Sequence, residues 1–236
     1  NHGSRIGFTR GAVADGEIAW APVDDYVVES DGYNQPFAID PAVFADDEGR
    51  HWLVYGSHAA GIWVVEIDPD SGFLTKRPQD KHWHADDDRF THLADYGGNR
   101  HDANNIEAAY IYNHPENEFY YLFVNWDRCC SGPESTYNIR IGRSDSPTGP
   151  YLDRDGRPLS DGGGSLFLDR SGEILGDSRF VGPGHAGIYR HDNGRYYFSH
   201  HFYDAASDGT PSLALWNLTW VDGWPQIDRG RPVELE

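Results

Sequence analysis

One pattern of short strands occurs three times along this chain of 236 residues, and it limits the fold more tightly than any other feature. The first copy reads Ala38-Ile39-Asp40-Pro41-Ala42-Val43-Phe44, then His51-Trp52-Leu53-Val54-Tyr55-Gly56-Ser57, then Gly61-Ile62-Trp63-Val64-Val65-Glu66-Ile67. The second runs Ile106-Glu107-Ala108-Ala109-Tyr110-Ile111-Tyr112, Phe119-Tyr120-Tyr121-Leu122-Phe123-Val124 and Tyr137-Asn138-Ile139-Arg140-Ile141-Gly142-Arg143-Ser144. The third runs Gly184-His185-Ala186-Gly187-Ile188-Tyr189, Arg195-Tyr196-Tyr197-Phe198-Ser199-His200 and Pro211-Ser212-Leu213-Ala214-Leu215-Trp216-Asn217-Leu218. These segments are β-branched or aromatic and separated by Asp-, Gly- and Pro-rich turns, and helical periodicity never lasts beyond a turn or two. The chain therefore reads as all-β. Repetition at this scale in an all-β setting marks a propeller, whose blades each place their first strand on the central channel.

Each copy carries one polar residue at the head of its first strand: Asp40, Glu107 and His185. In a propeller these three converge on one axis. Ahead of the first copy, Ser4-Arg5-Ile6-Gly7-Phe8-Thr9-Arg10 parallels the closing strands of the later copies. It reads as the tail of a blade without its front strands, so the chain supplies about three and a half blades. The expected division is a blade tail over 1–30, blades over 36–80, 106–160 and 180–228, and an acidic, His-rich insertion over 81–105. Open strand edges invite pairing, so closure by a further segment or a companion polypeptide is expected. No methionine occurs, even at position 1, which reads as a trimmed or processed start.

Composition narrows the partners. With 38 acidic against 19 basic residues the net charge is -19, which repels phosphate backbones and anionic membranes. No stretch approaches the run of about eighteen apolar residues that a membrane span needs. A neutral ligand such as a sugar polymer remains compatible. The two cysteines, Cys129 and Cys130, are adjacent and cannot staple distant segments; they form either a vicinal disulfide or two thiols. Within 81–105, His82, His84, His92, His101 and Asp86, Asp87 and Asp88 have the residue types of a metal site, but their irregular spacing matches no ligand pattern and a solvated insertion is expected.

An ordered set of motifs then becomes specific: Ala38-Ile39-Asp40-Pro41, Ile106-Glu107-Ala108, Cys129-Cys130 followed by Ser135-Thr136-Tyr137, Gly142-Arg143-Ser144, Thr148-Gly149-Pro150-Tyr151, Gly162-Gly163-Gly164, Gly182-Pro183-Gly184-His185 and Gly223-Trp224-Pro225. Together they resemble the endo-1,5-α-L-arabinanases of glycoside hydrolase family 43, from about Ser4 to about Gln226. The resemblance implies a five-bladed propeller and hydrolysis of α-1,5-linked arabinan or arabino-oligosaccharides by an inverting mechanism. By position, Glu107 matches the general acid, and Asp40 the carboxylate that raises the donor's pKa and orients it. An inverting glycosidase also needs a carboxylate across the ring to activate water. The family's base lies on a first-blade strand in a His-Asp-Pro context. The only His-Asp pairs, His101-Asp102 and His191-Asp192, lack that proline and strand pattern. The base is therefore expected on a segment outside this chain.

His185 matches a family histidine that holds a water-coordinated divalent ion, commonly calcium; read alone, it is a channel residue making a hydrogen bond. The candidates for sugar contact are Phe37, Ser57, His58, Trp126, Cys129, Cys130, Ser135, Thr136, Tyr137 and Asn138. Where the family usually has Phe-Trp after the blade serine, this chain has Ser57-His58-Ala59-Ala60, so an aromatic wall is lost. Exo-acting α-L-arabinofuranosidase or β-xylosidase activity, or a non-catalytic sugar-binding propeller, are the alternatives. Polysaccharide degradation implies a secreted or periplasmic location.

Overall fold

A computed structural model describes residues 3–84, 86–97, 104–170, 178–228 and 233. It contains three four-stranded antiparallel sheets and one two-stranded sheet, with every strand beside its neighbour in sequence. The hairpin pairs β1 (Ser4–Ala14) with β2 (Glu17–Ser30). The first full sheet holds β3 (Ala42–Ala45), β4 (His51–Tyr55), β5 (Ile62–Ile67) and β6 (Phe90–Ala94). The second holds β7 (Ile106–Asn113), β8 (Tyr120–Trp126), β9 (Asn138–Ser144) and β10 (Ser165–Leu168). The third holds β11 (Phe180–Arg190), β12 (Tyr196–Asp204), β13 (Thr210–Val221) and β14 (Trp224–Ile227). Successive up-and-down sheets packed face to face are the blades of a β-propeller.

Packing follows from alternation along the strands. All seven residues of β8 are buried, because this strand lies between two neighbouring blades. Tyr120, Leu122, Val124 and Trp126 point into the core shared with Phe44, Trp52, Val54 and Ile62 of the preceding blade. Tyr121 and Phe123 point the other way, into the core shared with Phe198, Ala214 and Trp216 of the following blade. A third core joins the hairpin residues Ile6, Val27 and Val28 to Leu53, Tyr55 and Val65. Each such aliphatic or aromatic side chain contributes roughly 1.5–3 kcal/mol through burial, so the interfaces between blades hold the molecule together.

Two boundaries differ from the sequence reading. The outer strand of the first blade, β6, lies within 81–105, the stretch expected to be an insertion. Its neighbours are pinned by Arg89, whose guanidinium is buried against Asp87 at 2.5 Å and donates to the carbonyls of Asp80, Arg77, Lys76 and His82. Similarly, β10 lies beyond residue 160. Both strands are short and follow long polar loops, so their apolar residues are too few to show a period of two. His101 and Asp102 fall outside the described residues. His191 follows β11 in a tight turn, where its N–H donates to the Arg195 carbonyl.

Candidate active site

A left-handed backbone residue recurs at each blade head, at Asp40, at His185 and at Ala108, the residue after Glu107. Asp40, Ala108 and His185 adopt φ of 55°, 54° and 56°. Such left-handed geometry costs a non-glycine residue about 1–2 kcal/mol and persists only where surrounding contacts impose it. The contacts here run between blades. The Ala108 N–H donates to Asp40 Oδ2 at 3.0 Å, and the His185 N–H donates to Asn125 Oδ1 at 2.9 Å. Asn125 is fully buried and also donates to the carbonyls of Pro183 and Asn138. The ladders shift register beside two of the heads, between Glu107 and Tyr110 and between Gly184 and Gly187, as bulges do where a strand re-aims its side chains.

Glu107 is held at both carboxyl oxygens. Ser57 Oγ donates to Oε2 at 3.0 Å and the Tyr137 hydroxyl donates to Oε1 at 2.8 Å. Both partners are buried, at 2% and 3% exposure, so water does not compete for these bonds. A hydroxyl can donate or accept, and the same two partners therefore accommodate Glu107 with or without a proton. His58 Nε2 stands 3.6 Å from Glu107 Oε2, while its Nδ1 reaches the Asn104 carbonyl at 3.2 Å. Burial raises the pKa of Asp40, and the nearby charge of Glu107 raises it further; the Ala108 N–H, His185 and His58 oppose the shift. Burial lowers the proton affinity of His201, and His185 adds to that effect. Asp40, Glu107, His185, His58, Tyr137 and His201 thus form one electrostatically coupled group, able to hold and release a proton at a carboxyl.

The remaining sequence candidates divide. His58 is partly open and Thr136 exposed; Phe37 is half-buried, its ring 5.8 Å from that of Tyr33. Cys129 and Cys130 form a vicinal disulfide, and the Cys130 N–H donates to the Tyr203 hydroxyl at 2.8 Å. Trp126, Ser135 and Asn138 are turned into the fold instead of offering open surfaces. The Trp126 ring is covered by Arg140 at 4.6 Å and Tyr96 at 5.2 Å. Ser135 Oγ accepts the Ser131 N–H, and Asn138 Nδ2 donates to Asp127 Oδ2 at 2.7 Å. Sequence reasoning missed Asn125, His201 and Tyr203. Asn125 left a usable signal, as one amide inside an otherwise aromatic and aliphatic strand. His201 and Tyr203 left none, because their contacts come from other blades.

Most ligands of a calcium ion at His185 would have to be water. Calcium takes six to eight oxygen ligands, whereas His185 offers one exposed imidazole. Among the described residues no group of three His, Cys, Asp or Glu side chains could hold a metal. The described histidines of the acidic stretch are paired singly, His82 with Glu29, His84 with Asp80 and His92 with Asp95.

The pattern of glycosyl hydrolases family 43 matches residues 19–225. The chain is 39% identical over 194 residues to the extracellular exo-alpha-(1->5)-L-arabinofuranosidase ArbA of Cellvibrio japonicus (strain Ueda107), covering 81% of this chain and 52% of that protein. It is 35% identical over 199 residues to the extracellular endo-alpha-(1->5)-L-arabinanase 1 of Bacillus subtilis (strain 168), covering 84% and 53%. The chain thus spans about half the length of these curated relatives. Among solved structures, an exo-1,5-α-L-arabinanase from a bovine ruminal metagenomic library superposes with a TM-score of 0.76 at 31% identity, over 93% of this chain and 68% of the other. The α-L-arabinanase of Cellvibrio cellulosa complexed with arabinohexaose gives 0.75 at 32% identity, over 91% and 64%. With its fold, its blade-head carboxylates and a match across most of its length, this chain belongs to glycosyl hydrolases family 43.

Proposed function

We propose that the full-length protein hydrolyses α-1,5-linked arabinan or arabino-oligosaccharides, with Glu107 as the proton donor. The observation that carries this is Glu107 itself, held at both oxygens by buried hydroxyls beside Asp40, in a chain related to arabinan-cleaving enzymes. Glu107 gives its proton to the departing sugar oxygen as the glycosidic bond breaks. Asp40, anchored by the Ala108 N–H, keeps a carboxyl group beside it. Inversion needs a second carboxylate to take a proton from the attacking water. In this reading that base lies outside the described residues, on a further part of the propeller carried by the same or a companion polypeptide. An extracellular site of action accords with the relatives, which are named as extracellular.

Exo action is the favoured mode within this reading, since both the arabinofuranosidase at 39% identity and the ruminal structure at 0.76 are named exo enzymes. The test is to incubate the full-length protein with linear arabinan and size the products. Release of single short units supports exo cleavage, and a ladder of intermediate lengths supports endo cleavage. Glu107→Gln should lower turnover by about a hundredfold or more while arabinan binding persists. Arabinan binding without turnover, unaffected by Glu107→Gln, would instead establish a sugar-binding propeller.

A further inference from the structure

Glu107 must present its proton in one direction, yet the terminal torsion of a glutamate carboxyl is broad and does not fix that direction by itself. Something rigid has to. The Tyr137 hydroxyl reaches Oε1 from a ring that is 3% exposed, and that ring lies against the ring of His201 with centroids 5.8 Å apart and planes 20° apart. Behind His201 stands Tyr203, edge-on at 5.7 Å, whose hydroxyl accepts the Cys130 N–H. A row of three rings therefore runs from the disulfide loop to the carboxyl of Glu107.

The backbone makes room for this row. A Cβ on Gly184 would lie 2.3 and 2.5 Å from two carbons of the Tyr137 ring and 2.6 Å from His201 Nε2, so no larger residue fits while the rings stay stacked. A Cβ on Gly182 would lie 2.9 Å from Ser135 Cβ and 3.0 Å from the Tyr203 ring. Gly184 has no left-handed φ, so its need for glycine is one of space and not of backbone conformation.

We infer that Tyr137, backed by His201, is a positioning residue that fixes the direction in which Glu107 presents its proton, and that Gly184 is glycine so that the two rings can stack. The inference rests on the proposed activity and adds to it. Burial, reinforced by the charges of Glu107 and Asp40, pushes the Tyr137 phenol far above its ordinary range, so it remains a donor. Burial and then His185 lower the proton affinity of His201 against the opposing charge of Glu107, and its ring meets Tyr137 by stacking. The other titratable groups at the carboxyl are Asp40, whose pKa burial and then the Glu107 charge raise, and His58 on the Oε2 side.

The experiment uses the full-length protein carrying Tyr137→Phe, His201→Ala or His201→Phe. Two substrates are compared: linear arabinan, and a nitrophenyl arabino-oligosaccharide whose leaving group needs no proton. On arabinan, Tyr137→Phe and His201→Ala should lower kcat about ten- to a hundredfold with little change in KM, within the share that acid catalysis supplies. On the nitrophenyl substrate each should lose no more than about threefold, since no proton is required there. His201→Phe, which keeps a flat ring, should restore arabinan turnover to within about threefold. Equal losses on both substrates would overturn the inference, as would unchanged arabinan turnover in Tyr137→Phe. No cleavage by the unaltered protein would sink the proposed activity, and this inference with it. Cleavage by the unaltered protein with Tyr137→Phe unaffected would sink this inference alone.

Discussion

Replacing Arg89 with methionine should be among the most damaging single changes in the molecule, although the residue is distant from the proposed chemistry. Arg89 and Asp87 side chains are each 1% exposed, and they meet at 2.5 and 2.8 Å. The guanidinium also donates to the Asp80 carbonyl at 2.7 Å, the Arg77 carbonyl at 3.2 Å and the His82 carbonyl at 3.3 Å. Burial alone would raise the pKa of Asp87, but the bonds from Arg89 bring it below its ordinary value. Arg89→Met removes the buried one of the two cations on Asp87, leaving only the half-exposed Arg77 at 2.5 Å, and strands several carbonyls. Breaking a buried pair from one side costs about 3–5 kcal/mol. The damage should spread, because the Lys81 carbonyl accepts the Glu29 N–H and His82 pairs with Glu29 at 3.0 Å, tying β2 to this blade. The assay is urea denaturation of Arg89→Met beside the unaltered protein, with the unfolding slope checked for constancy. Adding Asp87→Asn, which keeps an acceptor but drops the buried charge left with Arg77 alone, should recover part of the loss. A loss below about 1 kcal/mol, the range of exposed pairs, would refute the reasoning.

Two further outcomes follow from titrating groups. The folded pKa of Asp40 lies above its unfolded value, through burial and then Glu107, so its favourable contribution is full below the unfolded pKa and disappears as pH rises through the folded one. Asp40→Asn, which keeps an acceptor for the Ala108 N–H, should abolish most arabinan turnover yet flatten that pH-dependent loss of stability in denaturation curves. His200 is buried, and burial lowers its pKa to about 4; its Nε2 accepts the Trp216 Nε1–H at 2.9 Å. Its folded value lies below the unfolded one, so stability is intact above about pH 6.5 and about 3 kcal/mol is lost as pH falls toward 4. His200→Gln should remove most of that slope in melting experiments between those pH values.

The repeated strands of this chain could be read directly, because each blade is built from local hairpins whose apolar residues are contiguous in sequence. The heads Asp40 and Glu107 stood out for a similar reason: a carboxylate at the start of an apolar strand is visible without knowing what faces it. The outer strands β6 and β10 escaped notice, since five- and four-residue strands after long polar loops carry too few apolar positions to show a period. Among the proposed sugar contacts, Trp126, Ser135 and Asn138 are buried by Arg140, Tyr96, Ser131 and Asp127, a fact that depends on which side chains their own and neighbouring segments bring against them. The sequence by itself thus determined the all-β blades and the carboxylates at their heads, through local alternation and residue type. Only the tertiary structure decided which hydroxyls hold Glu107, why residue 184 must be glycine, and how the polar stretch around Arg89 pins the hairpin. Those contacts join residues tens of positions apart, and their geometry exists only once the blades have packed.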